Sequence, residues 1–155
     1  MGEVTLYAFK TGENPNRKIR FWKNSHHLDI KVGDSAFLAN RDGIIKEVCR
    51  YKIICDKDDV PSYCCCDYNK IKSIMVKKEI EPQIEDIEIS EHWQLPNENK
   101  IKAKLDYYNA NSKFLDSIIL RKGNDKKYRL VDGYTTFLIC RDILKSDKVK
   151  ASYFE

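Results

Sequence analysis

The sequence predicts an α+β protein made of two units: a small β-barrel-like unit over residues 1–78 and a β-α-β-β-α-β unit over residues 79–155. Short β-forming segments joined by tight turns fill the first half, which is typical of a small curled sheet. Helical and β patterns alternate in the second half. The charged, proline-containing segment KKEIEPQIED separates the two halves and predicts the boundary.

The first half contains segments rich in β-forming residues. We predict strands over residues 4–9, 18–23, 35–39, 44–54 and 64–76. The tetrapeptide Asn-Arg-Asp-Gly at 40–43 predicts a hairpin turn, because glycine adopts positive φ without steric cost. These strands have the number and spacing of a five-strand barrel, a pattern that says little about function.

The second half contains two helical patterns among short strands. Asn97 is a typical N-cap for a helix over 97–108, in which Ile101, Leu105 and Tyr108 share one apolar face. Residues 123–125 predict a hairpin turn. We predict strands over 86–90, 114–120, 128–131 and 149–153, and a second helix over 136–144.

Composition sets broad limits on the class of protein. The 155 residues are 42% apolar, enough to build a core, and 28 basic and 24 acidic residues give a net charge of +4. No apolar run reaches the roughly 20 residues that span a bilayer. The start, MGEVTLYAFK, lacks the features of a secretion signal. We therefore expect a cytoplasmic protein with no membrane partner.

The six cysteines are Cys49, Cys55, Cys64, Cys65, Cys66 and Cys140. Without a secretion signal, disulfides are not favoured. Three consecutive cysteines do not match the paired spacing of a zinc site. We predict reduced, partly buried thiols and no metal site.

The string Y-R-L-V-D-G-Y-T-T-F-L-I-C-R-D-I, together with IEISE and the hairpin SIILRKGNDKKYRLVDG, resembles the ParB/sulfiredoxin-like superfamily. The resemblance covers roughly residues 80–155. Members of this superfamily include DNA-segregation proteins that bind cytidine triphosphate, ATP-using reductases, free-serine kinases and nucleases. The resemblance implies a fold more specifically than an activity. The cofactor it would imply is a nucleoside triphosphate with Mg²⁺.

The turn from strand to second helix predicts a phosphate-binding cradle. Glycine allows a ligand to approach the backbone, and the amides at a helix start attract anions. The predicted phosphate-binding residues are Gly133, Tyr134, Thr135, Thr136 and Lys100. The alternative is that Thr135 or Thr136 simply caps the helix.

The sequence departs from the family pattern at two positions. Thr136 stands where the family has an arginine, and a threonine cannot form the bidentate phosphate contact of a guanidinium. Cys140 lies a helical turn beyond the position of the reductase nucleophile, which argues against reductase chemistry. Glu91 and Asp132 are candidate catalytic carboxylates. Trp93 either anchors the helix or stacks on a base.

Two basic clusters suit nucleic acid, because cations attract phosphates and aromatic rings stack on bases. The first cluster contains Arg17, Lys18, Arg20 and Trp22. The second contains Arg121, Lys122, Lys126, Lys127 and Arg129. The alternative for each cluster is a solvated hairpin.

The leading hypothesis is a nucleotide- or nucleic-acid-binding accessory protein, of the kind carried by phages or mobile elements, with DNA or nucleotide as partner. Two alternatives stay open. One is a phosphotransferase or nuclease that uses Glu91 and Asp132. The other is a protein-interaction module with a vestigial pocket and a protein partner.

Overall fold

A computed structural model describes residues 2–10, 18–40, 43–64 and 66–155. The chain folds into two compact units, Met1–Val76 and Lys77–Glu155. The mixed α+β class is confirmed, with one sheet in each unit. Lys77 and Lys78 belong to the second unit, rather than the first as predicted, because they pair with its last strand.

The first unit is built on one antiparallel sheet. Its strands are β1 (Glu3–Lys10), β2 (Ile19–Trp22), β3 (Ser35–Asn40) and β4 (Gly43–Asp56), in the order β2-β1-β4-β3. The predicted hairpin turn at 40–43 falls partly on residues 41 and 42, which lie outside the described residues; Gly43 itself has φ of 133°. The long β4 pairs with both β1 and β3.

One short segment reaches both edge strands of this sheet. Lys23, just after β2, forms a parallel bridge with Ser73, while Phe37 in β3 forms an antiparallel bridge with Met75. The Met75 amide donates to the Phe37 carbonyl over 2.9 Å. This segment therefore adds an isolated backbone contact at each edge of the sheet.

The continuous strand predicted over residues 64–76 is wrong. Short 3₁₀ turns occupy Ser62–Cys64 and Tyr68–Lys70, and only isolated bridges follow. Asp67 and Asn69 favour turns, because their short polar side chains compete with extended pairing.

The second unit holds a five-stranded mixed sheet. Its strands are β5 (Lys77–Ile80), β6 (Ile87–Glu88), β7 (Ile118–Lys122), β8 (Tyr128–Asp132) and β9 (Ala151–Phe154), in the order β5-β9-β7-β8-β6. The chain passes from β6 to β9 in the order β-α-β-β-α-β, and β5 adds a strand that the sequence did not predict. β6 is shorter than the predicted strand over 86–90.

Two helices complete this unit. Helix α1 (Glu98–Asn111) starts as predicted, since the Asn97 side chain accepts from the Lys100 amide over 2.8 Å. Helix α2 (Tyr134–Leu138) starts two residues before the predicted 136 and continues as a π-helical turn, Ile139–Ile143. Phe137 and Cys140 of this segment pack on Ile118 and Leu120 of β7.

In the part of the chain that the structure describes, neither helix has the length and apolar character needed to cross a membrane.

Candidate functional site

The β8–α2 corner, residues 132–136, is the predicted phosphate cradle. Gly133 has φ of 88°, and its carbonyl accepts from the Phe137 amide over 2.9 Å, which starts the helix. A Cβ on residue 133 would lie 2.9 Å from both the Ile118 Cα and the Ser117 carbonyl oxygen. The backbone of the chain itself therefore occupies the space that the glycine opens.

The side chain of Asp132 also forms a hydrogen bond at this corner. Its Oδ1 accepts from the Gly133 amide over 2.8 Å. The expectation of a bare amide at Gly133 is thus wrong, because the preceding side chain satisfies it. A carboxylate at this position also repels an incoming phosphate. For Tyr134, Thr135 and Thr136 the assignment to phosphate binding stays a prediction.

The two threonines do not cap the helix. The N-cap residue is Gly133, with no side-chain capping bond, and both threonine side chains are buried. Thr136 is 3% exposed, and its hydroxyl has no hydrogen-bond partner among the described residues. Both threonine side chains therefore lie in the interior of the second unit, and the alternative in which one of them caps the helix is wrong.

Trp93 packs against the start of α2. Its ring stacks on Tyr134, with centroids 5.3 Å apart, and on His92, with centroids 5.4 Å apart. The indole Nε1 is buried and has no partner within the described part of the chain. Of the two roles considered for Trp93, the packing anchor fits this geometry.

Glu91 and Lys100 lie on exposed surface. Glu91 is in a turn after β6, and Lys100 is in the first turn of α1. Asp132 is engaged with Gly133, and no hydrogen bond between described residues links it to Glu91. The described residues contain no cluster of three or more His, Cys, Asp or Glu side chains suited to a metal ion. The catalytic pair gains no support from this arrangement.

The hairpin that joins β7 to β8 is tight and strained. Its turn is centred on Asp125 and Lys126, one residue later than predicted, with φ of 48° and 66°. The Lys127 amide donates to the Asn124 carbonyl over 2.9 Å. Two successive positive φ values at the centre of a hairpin turn are typical of type I′, whose second position normally holds glycine. Here that position holds a lysine.

The same hairpin concentrates positive charge, and we call it the basic hairpin. Arg121 and Arg129 face each other directly across the two strands. Its cationic residues are Arg121, Lys122, Lys126, Lys127 and Arg129. None of them forms an ion pair with another described residue. Four of the five are exposed, Arg121 being half-buried.

The predicted cluster on β2 needs correction. Trp22 is 5% exposed and packs in the core of the first unit with Tyr7 and Phe9, so it cannot stack on a base. Lys18 and Arg20 are exposed, and Arg17 lies outside the described residues. Strand alternation correctly separated Trp22 from Phe21, but it did not indicate which face is buried.

Sequence reasoning missed an aromatic group on the outer surface of the first unit. Phe21 meets Tyr51 edge-on, with ring centroids 5.9 Å apart, and lies 5.5 Å from Tyr63. We call these three residues the aromatic cluster. In the sequence, strand alternation indicates only that Phe21 and Trp22 lie on opposite faces of their strand. Strand pairing brings Tyr51 close to Phe21, and a turn brings Tyr63 close to it.

The cysteines in the described part of the chain are reduced thiols. Cys49 and Cys140 are buried, and burial raises the pKa of Cys140 to about 11. The Cys140 thiol is therefore protonated at neutral pH and suited to packing rather than to nucleophilic chemistry. Cys65 lies outside the described residues.

No protein-family model matches this chain, and a search of curated proteins found no match.

Proposed function

We propose that this protein is a nucleic-acid-binding accessory protein whose basic hairpin contacts the phosphate backbone. The observation that supports this most is the direct cross-strand pair of Arg121 and Arg129. Like charges facing each other in a sheet are destabilising, by up to about 1 kcal/mol. Glu88 of β6 is the cross-strand neighbour of Arg129 on its other side, but no described carboxylate forms an ion pair with either guanidinium. A phosphate backbone would supply the negative charge that pairs with both guanidinium groups.

The turn supports the same interpretation. Lys126 holds a left-handed backbone conformation that costs roughly 1 kcal/mol for a residue with a Cβ. Its side chain is exposed at the tip of the hairpin. A glycine would form this turn with less strain, so the lysine adds charge at the expense of stability.

The net charge of +4 is modest for a nucleic-acid-binding protein. Binding would therefore depend on the local concentration of cations in the basic hairpin. The observations at the β8–α2 corner favour nucleic acid over a free nucleotide, because Asp132 already holds the Gly133 amide. The phosphotransferase or nuclease alternative has no comparable supporting observation.

The test is a salt titration of binding to labelled duplex and single-stranded DNA. The variant Arg121→Gln, Lys127→Gln, Arg129→Gln neutralises the centre of the basic hairpin. We expect weaker binding and a log–log salt slope shallower by roughly 0.9 for each phosphate that the variant no longer neutralises. Titration with ATP and CTP in the presence of Mg²⁺ should show no binding.

The matched control removes the same charge elsewhere in the second unit, through Lys102→Gln, Lys113→Gln and Lys150→Gln, all at exposed positions. Its salt slope should stay close to that of the unmodified protein. The proposal fails if the unmodified protein binds neither DNA at low salt. It also fails if both variants lose affinity equally, because that result would indicate nonspecific dependence on net charge.

A further inference from the structure

We infer that the aromatic cluster of the first unit is a stacking surface for single-stranded nucleic acid. This inference rests on the proposed function and adds to it the form of nucleic acid bound. Its evidence comes from the first unit, whereas the basic hairpin belongs to the second. The aromatic cluster contains Phe21 from β2, Tyr51 from β4 and Tyr63 from the 3₁₀ turn after β4.

The rings are accessible. Tyr51 is 40% exposed and Tyr63 is 60% exposed, while Phe21 is half-buried between them. Phe21 and Tyr51 both pair with Ala8 of β1, on opposite sides of it, and the small alanine leaves the two larger rings outermost. Exposed, rigid aromatic faces stack on unpaired bases, at about 1–3 kcal/mol per base.

The charges around the cluster suit a polyanion. Lys10 pairs with Ile19, which lies two residues from Phe21 and therefore on the same face of β2. Arg50 precedes Tyr51 at the irregularity in the pairing of β4 with β1, whereas Arg20 pairs with the buried Phe9 and lies on the opposite face from Phe21. Neither Lys10 nor Arg50 forms an ion pair with a residue in the described ranges, and both are available to phosphates beside a stacked base.

Two acidic residues of this sheet, Glu3 and Asp56, lie at its other end, whereas Glu47 of β4 lies four residues from Tyr51. Glu3 pairs with Asp56, at the start of β1, whereas Lys10 ends the same strand. At about 3.4 Å per residue the two ends of β1 are roughly 24 Å apart. The aromatic cluster adjoins the basic end, because Tyr51 pairs with Ala8.

A single strand fits this surface better than a duplex. In a duplex each base is already stacked on its neighbours, so a tyrosine ring can stack only where bases are unpaired. A protein partner could use exposed aromatic rings as well, but it would not require the cations beside them.

The experiment compares an oligothymidylate of about 20 nucleotides with a duplex of equal length, by fluorescence anisotropy. We expect Tyr51→Leu and Tyr63→Leu each to weaken single-strand binding roughly 5- to 150-fold. The salt slope should not change, since no charge is removed. Tyr51→Phe keeps the ring and should keep the affinity, and duplex binding should be unaffected by all three variants.

The control Tyr107→Leu removes a half-buried tyrosine from α1 and should leave both affinities unchanged. Thermal unfolding verifies that each variant is folded. If the unmodified protein binds no DNA, the proposed function fails and this inference fails with it. If it binds DNA while the Tyr51→Leu and Tyr63→Leu variants bind the single strand normally, only the stacking inference is overturned. The stacking inference would also be overturned if the unmodified protein self-associates, Tyr51→Leu abolishes that self-association, and the variant still binds DNA. The aromatic cluster would then bind a second copy of the chain.

Discussion

The β8–α2 corner and the tip of the basic hairpin both place residues in the left-handed conformation, but for different reasons. At the corner, Gly133 is required because the β7 backbone crosses where a Cβ would be. At the tip, Asp125 and Lys126 adopt the same conformation with side chains that penalise it. Packing explains the corner, whereas no packing contact among the described residues requires a lysine at the tip.

This difference separates structural constraint from candidate function. Sequence alone makes the glycine look like a ligand site, since glycine turns before helices often bind phosphate. The structure shows that the backbone at Ile118 fills the space beside Gly133 and that the Asp132 carboxylate accepts a hydrogen bond from the Gly133 amide. Backbone strain without a packing reason is the better indicator of a binding surface.

Replacing Gly133 with alanine should give the largest effect. We expect a loss of about 3 kcal/mol in the free energy of unfolding, from backbone strain plus a clash with the β7 backbone. Urea denaturation measures it. The control is Gly33→Ala, because Gly33 has φ of 95° but open space around it, so only strain is added. Equal losses in the two variants would contradict the packing explanation of the corner.

Replacing Thr136 with valine should stabilise the protein by about 1 kcal/mol. The hydroxyl is buried without a partner among the described residues, so its removal ends a desolvation cost while the side-chain shape is kept. The Thr136→Ser comparison keeps the hydroxyl, removes a methyl group and should be destabilising. A decrease in stability on changing to valine would mean that this hydroxyl is satisfied in solution, and the corner would again be a candidate for ligand binding.

Replacing Lys126 with glycine should give the smallest change in stability, a gain of about 0.5 kcal/mol as turn strain is relieved. DNA affinity should fall at the same time, with the salt slope shallower by roughly 0.9. Lys126→Gln separates the two effects, because it removes the charge and keeps the strain. If Lys126→Gly leaves DNA binding unchanged, the tip does not contact phosphate.

Local signals predicted much of the fold. The side chain of Asn97 starts α1 as expected, and β1, β3 and β4 contain the segments predicted for them. The strand predicted over 64–76 failed because turn-forming residues outweigh its β-forming ones. The missed strand β5 lies in a charged segment that pairs only because β9 offers an open edge.

The candidate sites were less predictable. The basic hairpin could be inferred from a run of cations around a turn, because hairpin neighbours are close in sequence. The aromatic cluster could not, since Phe21, Tyr51 and Tyr63 come from three separate segments. Alternation places Trp22 and Phe21 on opposite faces, but which face is covered depends on distant residues such as Leu38 and Ile74.

The sequence by itself determined the α+β class, the order of most elements, the helix cap and the location of the positive charge. These features follow from backbone preferences and charges that act over a few residues. Only the tertiary structure decided that Trp22 lies in the core and that three distant aromatic rings meet on the surface. It also decided that position 133 needs a glycine, because another segment of the same chain passes too close for a Cβ. Burial and close packing depend on which segments come together, and no local pattern specifies that.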